Sequence, residues 1–212
     1  NSLFVLHQGA LGDLVSTFPA LLLLKKRFSK VELGCRGGAG RLACLLKAGD
    51  RCFNIDSSLF SSMYAPPESA PDSRLLDFMA AYDALLFLSF SEKLACNVEK
   101  WTGKPVFRIS PRPEPFEKAN VQRRLVEQLE DCGLVEKGAG EKVRRLFEDF
   151  RAPGYDHRKV FIQPGSGSPV KNWPLQNFLE LESLLIEGGF CPVFLLGPAE
   201  RELEDHFFRE ES

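Results

Sequence analysis

Short apolar runs that end in glycine- or serine-rich loops and pass into helix-period segments recur along this chain. That alternation constrains the fold more than any other feature. SLFVLH (2–7) ends at Gly9, Ala10, Leu11 and Gly12, after which Asp13 opens a helical pattern to Phe28, with Leu14, Phe18, Leu21 and Leu22 on one side. KVELGC (30–35), RCFNID (51–56), DALLFLS (83–89) and PVFRIS (105–110) are further predicted strands, separated by helix-like segments near 41–48, 73–80 and 91–101. Strands alternating with helices predict a parallel sheet covered on both faces.

The character of the chain changes after Ser110. Pro111, Pro113 and Pro115 form a stiff connector, followed by a charged amphipathic helix predicted from Glu117 to about Cys132 and a second one near 141–149. Residues 151–158, with Pro153 and Gly154, read as a linker between an N-terminal domain (1–150) and a new unit that begins at Lys159. That unit reads as strand (159–163), loop, helix (174–187), strand (191–196) and the start of a helix after Pro198. Two strands and two helices cannot bury both faces of a doubly wound sheet, so 159–212 is expected to be the first part of a truncated second domain.

The loop inside KVFIQPGSGSPVKNWPL (159–175) carries the strongest chemical signal. A loop that leaves a strand and meets a helix N-terminus offers unpaired N–H groups and the positive end of a dipole, which favours an anion. Ser166, Gly167, Ser168 and Lys171 add hydroxyls, close backbone approach and a cation, so the expected guest is a phosphate. No Gly-Lys-Ser/Thr follows the glycines, which excludes the Walker loop of nucleoside triphosphatases. Trp173 and Pro174 set these residues apart from an ordinary solvated turn, since proline in a first helical turn fixes a sharp start and the indole can anchor the loop. Gly197 to Glu200 ends the next strand at the same sheet edge. If the sheet is parallel, Glu200 lies near the phosphate loop and can accept from ribose hydroxyls.

Two other constellations stay open at this point. Asp13 is either a helix-capping residue beside a tight glycine turn or a carboxylate at a cleft, available as a general base. Gly38, Gly40 and Ala43 fit G-x-G-x-x-A after a strand, with Asp56 downstream to hold a ribose, which makes a module for NAD a rival reading. The formal charge of −2 argues against a nucleic-acid-coating protein. Six cysteines, at 35, 44, 52, 96, 132 and 191, show no C-x-x-C and no zinc spacing with His7, His157 or His206, so they read as reduced, mostly buried thiols of a cytosolic protein. No D-x-D, H-E-x-x-H or G-x-S-x-G occurs, so metal-bridged sugar-nucleotide chemistry, zinc hydrolysis and serine hydrolysis have no support. No metal site is expected.

GALGDLVSTFPALLLLKKRF (9–28), PGSGSPVKNWPLQNFLEL (164–181) and LLGPAERE (195–202), in this order and separation, resemble glycosyltransferase family nine, the bacterial ADP-heptose:lipopolysaccharide heptosyltransferases and their relatives. The resemblance implies a GT-B architecture: a Rossmann-like acceptor-side N-terminal domain and a Rossmann-like nucleotide-sugar-binding C-terminal domain, incomplete here. It implies Asp13 as the general base within the active-site loop Gly9, Ala10, Leu11 and Gly12. It also implies Ser166, Gly167, Ser168 and Lys171 on the donor phosphates and Glu200 on the donor ribose. The family's later Asp-Ser/Thr-Gly-x-x-His segment does not occur in the sequence, and His7-Gln8 stands where many members carry an arginine.

The implied reaction is an inverting, metal-independent transfer in lipopolysaccharide biosynthesis, from ADP-heptose to a lipopolysaccharide-core-type or related glycolipid acceptor. Its expected place is the cytoplasm, at the cytoplasmic face of the inner membrane, with no cofactor beyond the nucleotide-sugar substrate and no nucleic-acid partner. A sugar-nucleotide epimerase of the same architecture, an NAD module using Gly38, Gly40 and Asp56, and a non-catalytic acceptor-binding fragment remain as alternatives.

Overall fold

The structure is a computed structural model that describes residues 1–64, 66, 70–111, 120–146, 156–166, 169–197 and 200. It divides into two compact units, Asn1–Phe150 and Arg151–Ser212. The expected helix after Pro198, most of the expected linker and the start of the helix expected from Glu117 fall outside the described residues.

In the first unit, β1 (Ser2–His7), β2 (Lys30–Cys35), β3 (Arg51–Asn54), β4 (Ala84–Leu88) and β5 (Val106–Ile109) form one parallel sheet in the order β3-β2-β1-β4-β5. The helices are α1 (Leu11–Arg27), α2 (Ala39–Leu45), α3 (Ser58–Ser61), α4 (Ser73–Ala80), α5 (Glu92–Thr102), α6 (Val121–Asp131) and α7 (Ala139–Leu146). Alternation along β1 explains the two layers. Leu3 and Val5 join Leu14, Phe18 and Leu129 in one core, which brings α1 and α6 onto one face. Phe4 and Leu6 join Phe60, Leu75 and Val98 on the other, beneath α3, α4 and α5.

The second core is aromatic. Phe4 stacks on Phe60 at 6.0 Å and meets Phe78 edge-on at 5.2 Å, and Phe78 meets Phe53 at 4.8 Å. Such pairs add about 0.5–1.5 kcal/mol each beyond area burial. They tie down α3 and the 3₁₀ turn Ser62–Tyr64, a stretch that no periodicity in the sequence marks. Tyr82, in the same cluster, donates its hydroxyl to the buried Glu32 carboxylate of β2, to which Lys30 also bonds at 3.1 Å.

The second unit contains β6 (Lys159–Ile162) paired in parallel with β7 (Cys191–Phe194), a 3₁₀ turn Pro169–Lys171 and α8 (Leu175–Glu187). The thiols depart from the expectation of burial: Cys35 is buried and Cys44 and Cys52 are half-buried, whereas Cys96, Cys132 and Cys191 are exposed. Cys96 lies on a two-sided amphipathic helix, Cys132 at a helix end and Cys191 at a strand start, positions where the core does not reach. No described helix is long and apolar enough to cross a membrane.

Candidate active site at the sheet switch point

Chain order runs outward from β1 in one direction through β2 and β3, then restarts on the other side with β4 and β5. The crossovers therefore diverge between β1 and β4, leaving a crevice beyond the C-terminal ends of these strands, where open α/β sheets bind ligands. His7 and Leu88, the last residues of the two strands, are cross-strand partners.

Helix α1 begins earlier than the sequence pattern indicates. Ala10 is the N-cap residue, with φ −69° and ψ 176°, so Leu11 and Gly12 belong to the first helical turn rather than to a loop, and Asp13 is not the cap. Alanine has no side-chain oxygen with which to cap. Instead Asp13, at the third helical position, accepts a hydrogen bond on Oδ2 from the Ala10 N–H at 3.1 Å, the reverse half of a capping box. The same bond orients the half-buried carboxylate at the cleft, so the capping and cleft readings of Asp13 describe one geometry.

Gly9 makes that arrangement possible. A Cβ there would lie 2.7 Å from Asp13 Cβ, 2.9 Å from Asp13 Oδ2 and 2.9 Å from His7 Cε1. The imidazole and the carboxylate thus flank the space above Gly9. His7 is 1% exposed, and neither ring nitrogen has a hydrogen-bond partner among the described residues. Burial pushes its pKa below the ordinary value, opposed by the Asp13 charge. The ring is therefore neutral at neutral pH.

A cavity of about 310 Å³ opens at this point. Gly9, Ala10 and Asp13 form one side, Leu88, Ser89 and Phe90 the other, with Gln8 and Pro111 completing it. Gln8 is fixed from two sides: its Nε2 donates to the Tyr64 hydroxyl of the 3₁₀ turn at 2.9 Å and its Oε1 accepts from Ser89 Oγ, just after β4, at 2.7 Å. Ser89 Oγ in turn accepts from the Ser91 N–H at 3.1 Å. The sequence pattern did not single out Gln8, Tyr64, Ser89 or Phe90 as site residues. The available signal was topological, since the ends of the first and fourth strands meet only once the strand order is known.

Gly38, Gly40 and Asp56 lie elsewhere. Gly38 caps the seven-residue α2 after β2, and Asp56 follows the edge strand β3, where Arg36 faces it at 3.9 Å. Gly40 is needed for packing, because a Cβ would meet Cys52 Cβ at 2.7 Å. A dinucleotide fingerprint belongs to the first strand–helix turn, at the switch point. This motif is one strand too far out.

In the second unit, Ser166 and Lys171 are exposed, Lys171 in the 3₁₀ turn and not at the start of α8, while Gly167 and Ser168 lie outside the described residues. Pro174 is the N-cap of α8 with φ −55° and ψ 139°, just before the first turn rather than inside it, and Trp173 packs edge-on against Phe178 at 5.3 Å. Glu200, 6% exposed, is held between the loops that follow β6 and β7. Its Oε2 accepts from the Gly197 N–H at 2.7 Å, and it crowds Gly165 so closely that a Cβ there would lie 1.7 Å from Oε1. Parallel pairing of β6 and β7 brings Glu200 to the 164–166 loop.

The parallel sheet flanked by helices is a fold that solved heptosyltransferase structures also have. Escherichia coli heptosyltransferase WaaC with ADP-2-deoxy-2-fluoro heptose superposes with a TM-score of 0.65 at 16% identity, over 97% of this chain and 72% of that one. A glycosyl transferase family 9 protein from Veillonella parvula gives 0.63 at 15% identity, over 95% and 64%. E. coli ADP-heptose lps heptosyltransferase II gives 0.60 at 15% identity, over 97% and 67%. No protein-family model and no curated protein matches the sequence.

Proposed function

We propose that this protein is a glycosyltransferase that moves heptose from ADP-heptose to a hydroxyl of a lipopolysaccharide-core-type or related glycan, with inversion and without a metal. The observation that carries the reading is Asp13, placed by Gly9 and the Ala10 N–H at the switch-point cavity of a fold shared with heptosyltransferases. In the proposed reaction the acceptor oxygen attacks the anomeric carbon as its proton passes to Asp13. The bond from that carbon to the diphosphate oxygen breaks on the opposite face and ADP leaves. Lys171, Ser166, Gly167 and Ser168 would bear the charge that grows on the diphosphate, and Glu200 would accept from the ribose. The ligands of the WaaC structures, ADP-2-deoxy-2-fluoro heptose and ADP, support an ADP-linked donor. The protein would act in the cytoplasm, at the inner membrane face where glycolipid acceptors are presented.

Titration calorimetry on the full-length protein tests the donor half. Lys171→Ala should weaken ADP binding by about 1.5–3 kcal/mol, the range for charge-assisted hydrogen bonds, and AMP binding by less. Equal ADP affinities in the two proteins would remove Lys171 from the donor site. Transfer from ADP-heptose should also survive EDTA, and a strict metal requirement would refute the proposed chemistry.

A further inference from the structure

Three of the six cysteines come together where α2 packs on the outer strands of the first unit. Register pairs Cys52 of β3 with Leu33 of β2, which puts its side chain on the same sheet face as Val31, Leu33 and Cys35. Helix α2 approaches that face closely because Gly40 has no side chain. A Cβ there would stand 2.7 Å from Cys52 Cβ, 3.3 Å from Cys52 Sγ and 3.3 Å from Cys35 Cβ. Cys44 follows Gly40 by four residues, one turn further along the same side of α2. It reaches Cys52, and the two thiols interact directly. The turn that joins them is held in place by Asp50, whose carboxylate accepts from the Val31 N–H of β2 at 2.7 Å.

The trio does not converge on a metal: among the described residues no group of three His, Cys, Asp or Glu side chains could hold an ion. The three thiols also differ in access. Cys44 and Cys52 are half-buried, open to a small oxidant, whereas Cys35 is 1% exposed. Burial, with Cys52 and Cys44 nearby, pushes the Cys35 thiol up to about 12, and burial and Cys52 push Cys44 up to about 11. Since the thiolate is the attacking form, neither of these two is the first to meet an oxidant. That leaves Cys52 to be oxidised first, with Cys44 beside it to close the bridge.

We propose that Cys44 and Cys52 form a dithiol–disulfide pair, which a hydroperoxide oxidises to a bridge tying α2 to β3. In the first step the Cys52 sulfur attacks a peroxide oxygen: the S–O bond forms, the O–O bond breaks, and with hydrogen peroxide the leaving hydroxide takes the thiol proton as water. The Cys44 sulfur then attacks the Cys52 sulfur, the S–S bond forms, the S–O bond breaks and a second water leaves. Two thiols lose two electrons and one peroxide is reduced to two waters.

The test uses the full chain with the exposed Cys96, Cys132 and Cys191 changed to Ser, treated with hydrogen peroxide, alkylated and digested with trypsin. Cleavage after Lys30, Arg36, Arg41, Lys47, Arg51 and Arg74 puts Cys35, Cys44 and Cys52 on separate peptides, 31–36, 42–47 and 52–74. In the unfolded chain, loops 35–44 and 44–52 are almost equally long and cost nearly the same to close, so oxidation in urea should give both bridges in comparable yield. In the folded protein the 42–47/52–74 pair should exceed the 31–36/42–47 pair by at least about five-fold, because the fold and not chain length selects the partner. The bridge should raise the melting temperature by roughly 5 °C, since it restricts the unfolded chain, and a dithiol reductant should reverse the rise. The proposal is overturned if no bridge forms in the folded protein, if its peptide map matches the one from urea, or if oxidation leaves melting unchanged or lowers it.

Discussion

Gly9→Ala isolates the contact on which the site geometry depends. The new methyl group would meet Asp13 Cβ at 2.7 Å and both Asp13 Oδ2 and His7 Cε1 at 2.9 Å. To reach ordinary separation these neighbours must move by roughly 0.5–0.7 Å, on the repulsive side of the van der Waals well. His7, the last residue of β1, is buried and cannot swing out, so Asp13 must yield, which strains or breaks its bond from the Ala10 N–H. Overpacking of this kind costs about 1–3 kcal/mol, with loss of the cap bond adding to it. Gly12→Ala is the control three residues on: nothing lies within 4 Å of its Cβ position, and alanine in a first helical turn should be neutral or stabilise by up to about 1 kcal/mol. Urea unfolding of the two variants at pH 7, with m-values checked for constancy, gives the difference directly. Transfer activity should fall with Gly9→Ala alone, since displacing a base by half an ångström degrades its alignment. If Gly9→Ala proves as stable and as active as Gly12→Ala, then Gly9 is not the spacer between His7 and Asp13.

Asp13→Asn should lower sugar transfer by about 10²–10⁴-fold while nucleotide binding and folding persist, and near-normal turnover in a product assay would remove Asp13 as the base. His7 has a folded-state pKa below 6.5, so between that lower value and 6.5 the unfolded chain binds more protons and stability rises with pH. The contribution is complete above 6.5 and is lost as pH falls below it. Urea midpoints from about pH 5 to 8 should therefore slope in the wild type and flatten in His7→Gln, and identical profiles would contradict burial of a neutral ring. Tyr82→Phe removes the hydroxyl donor to buried Glu32 and should cost about 1–3 kcal/mol by thermal or urea unfolding, whereas an unchanged midpoint would show that Lys30 alone satisfies that carboxylate.

Much of the fold was legible because period and punctuation agree with the tertiary result. SLFVLH and KVELGC are strands at the bounds their apolar runs indicate, and the helix at 73–80 matches as well. The short strands expected at 51, 159 and 191 are trimmed at their C-terminal ends and those at 83 and 105 at both ends, where pairing with a neighbour and not side-chain character decides the limit. Residues 58–64 carried no clear period. They are ordered because Phe60 and Met63 insert into the aromatic cluster around Phe4, a long-range contact that local pattern cannot reveal.

The candidate site divides in the same way. Residue type and position after a strand pointed to Asp13, Lys171 and Glu200, because carboxylates, lysines and glycines beyond strand ends have recognisable chemistry. Strand order decided the rest. With β1 flanked by β2 and β4, the crevice falls between Gln8 and Ser89, residues 81 positions apart that share a hydrogen bond, and the glycine fingerprint at 38–43 is left beside an outer strand. Which groups were available, and that a parallel α/β sheet would carry them, follows from residue order alone, since hydrophobic period is a local property. Which of them meet depends on the folded chain, because a switch point exists only where strands distant in sequence become neighbours.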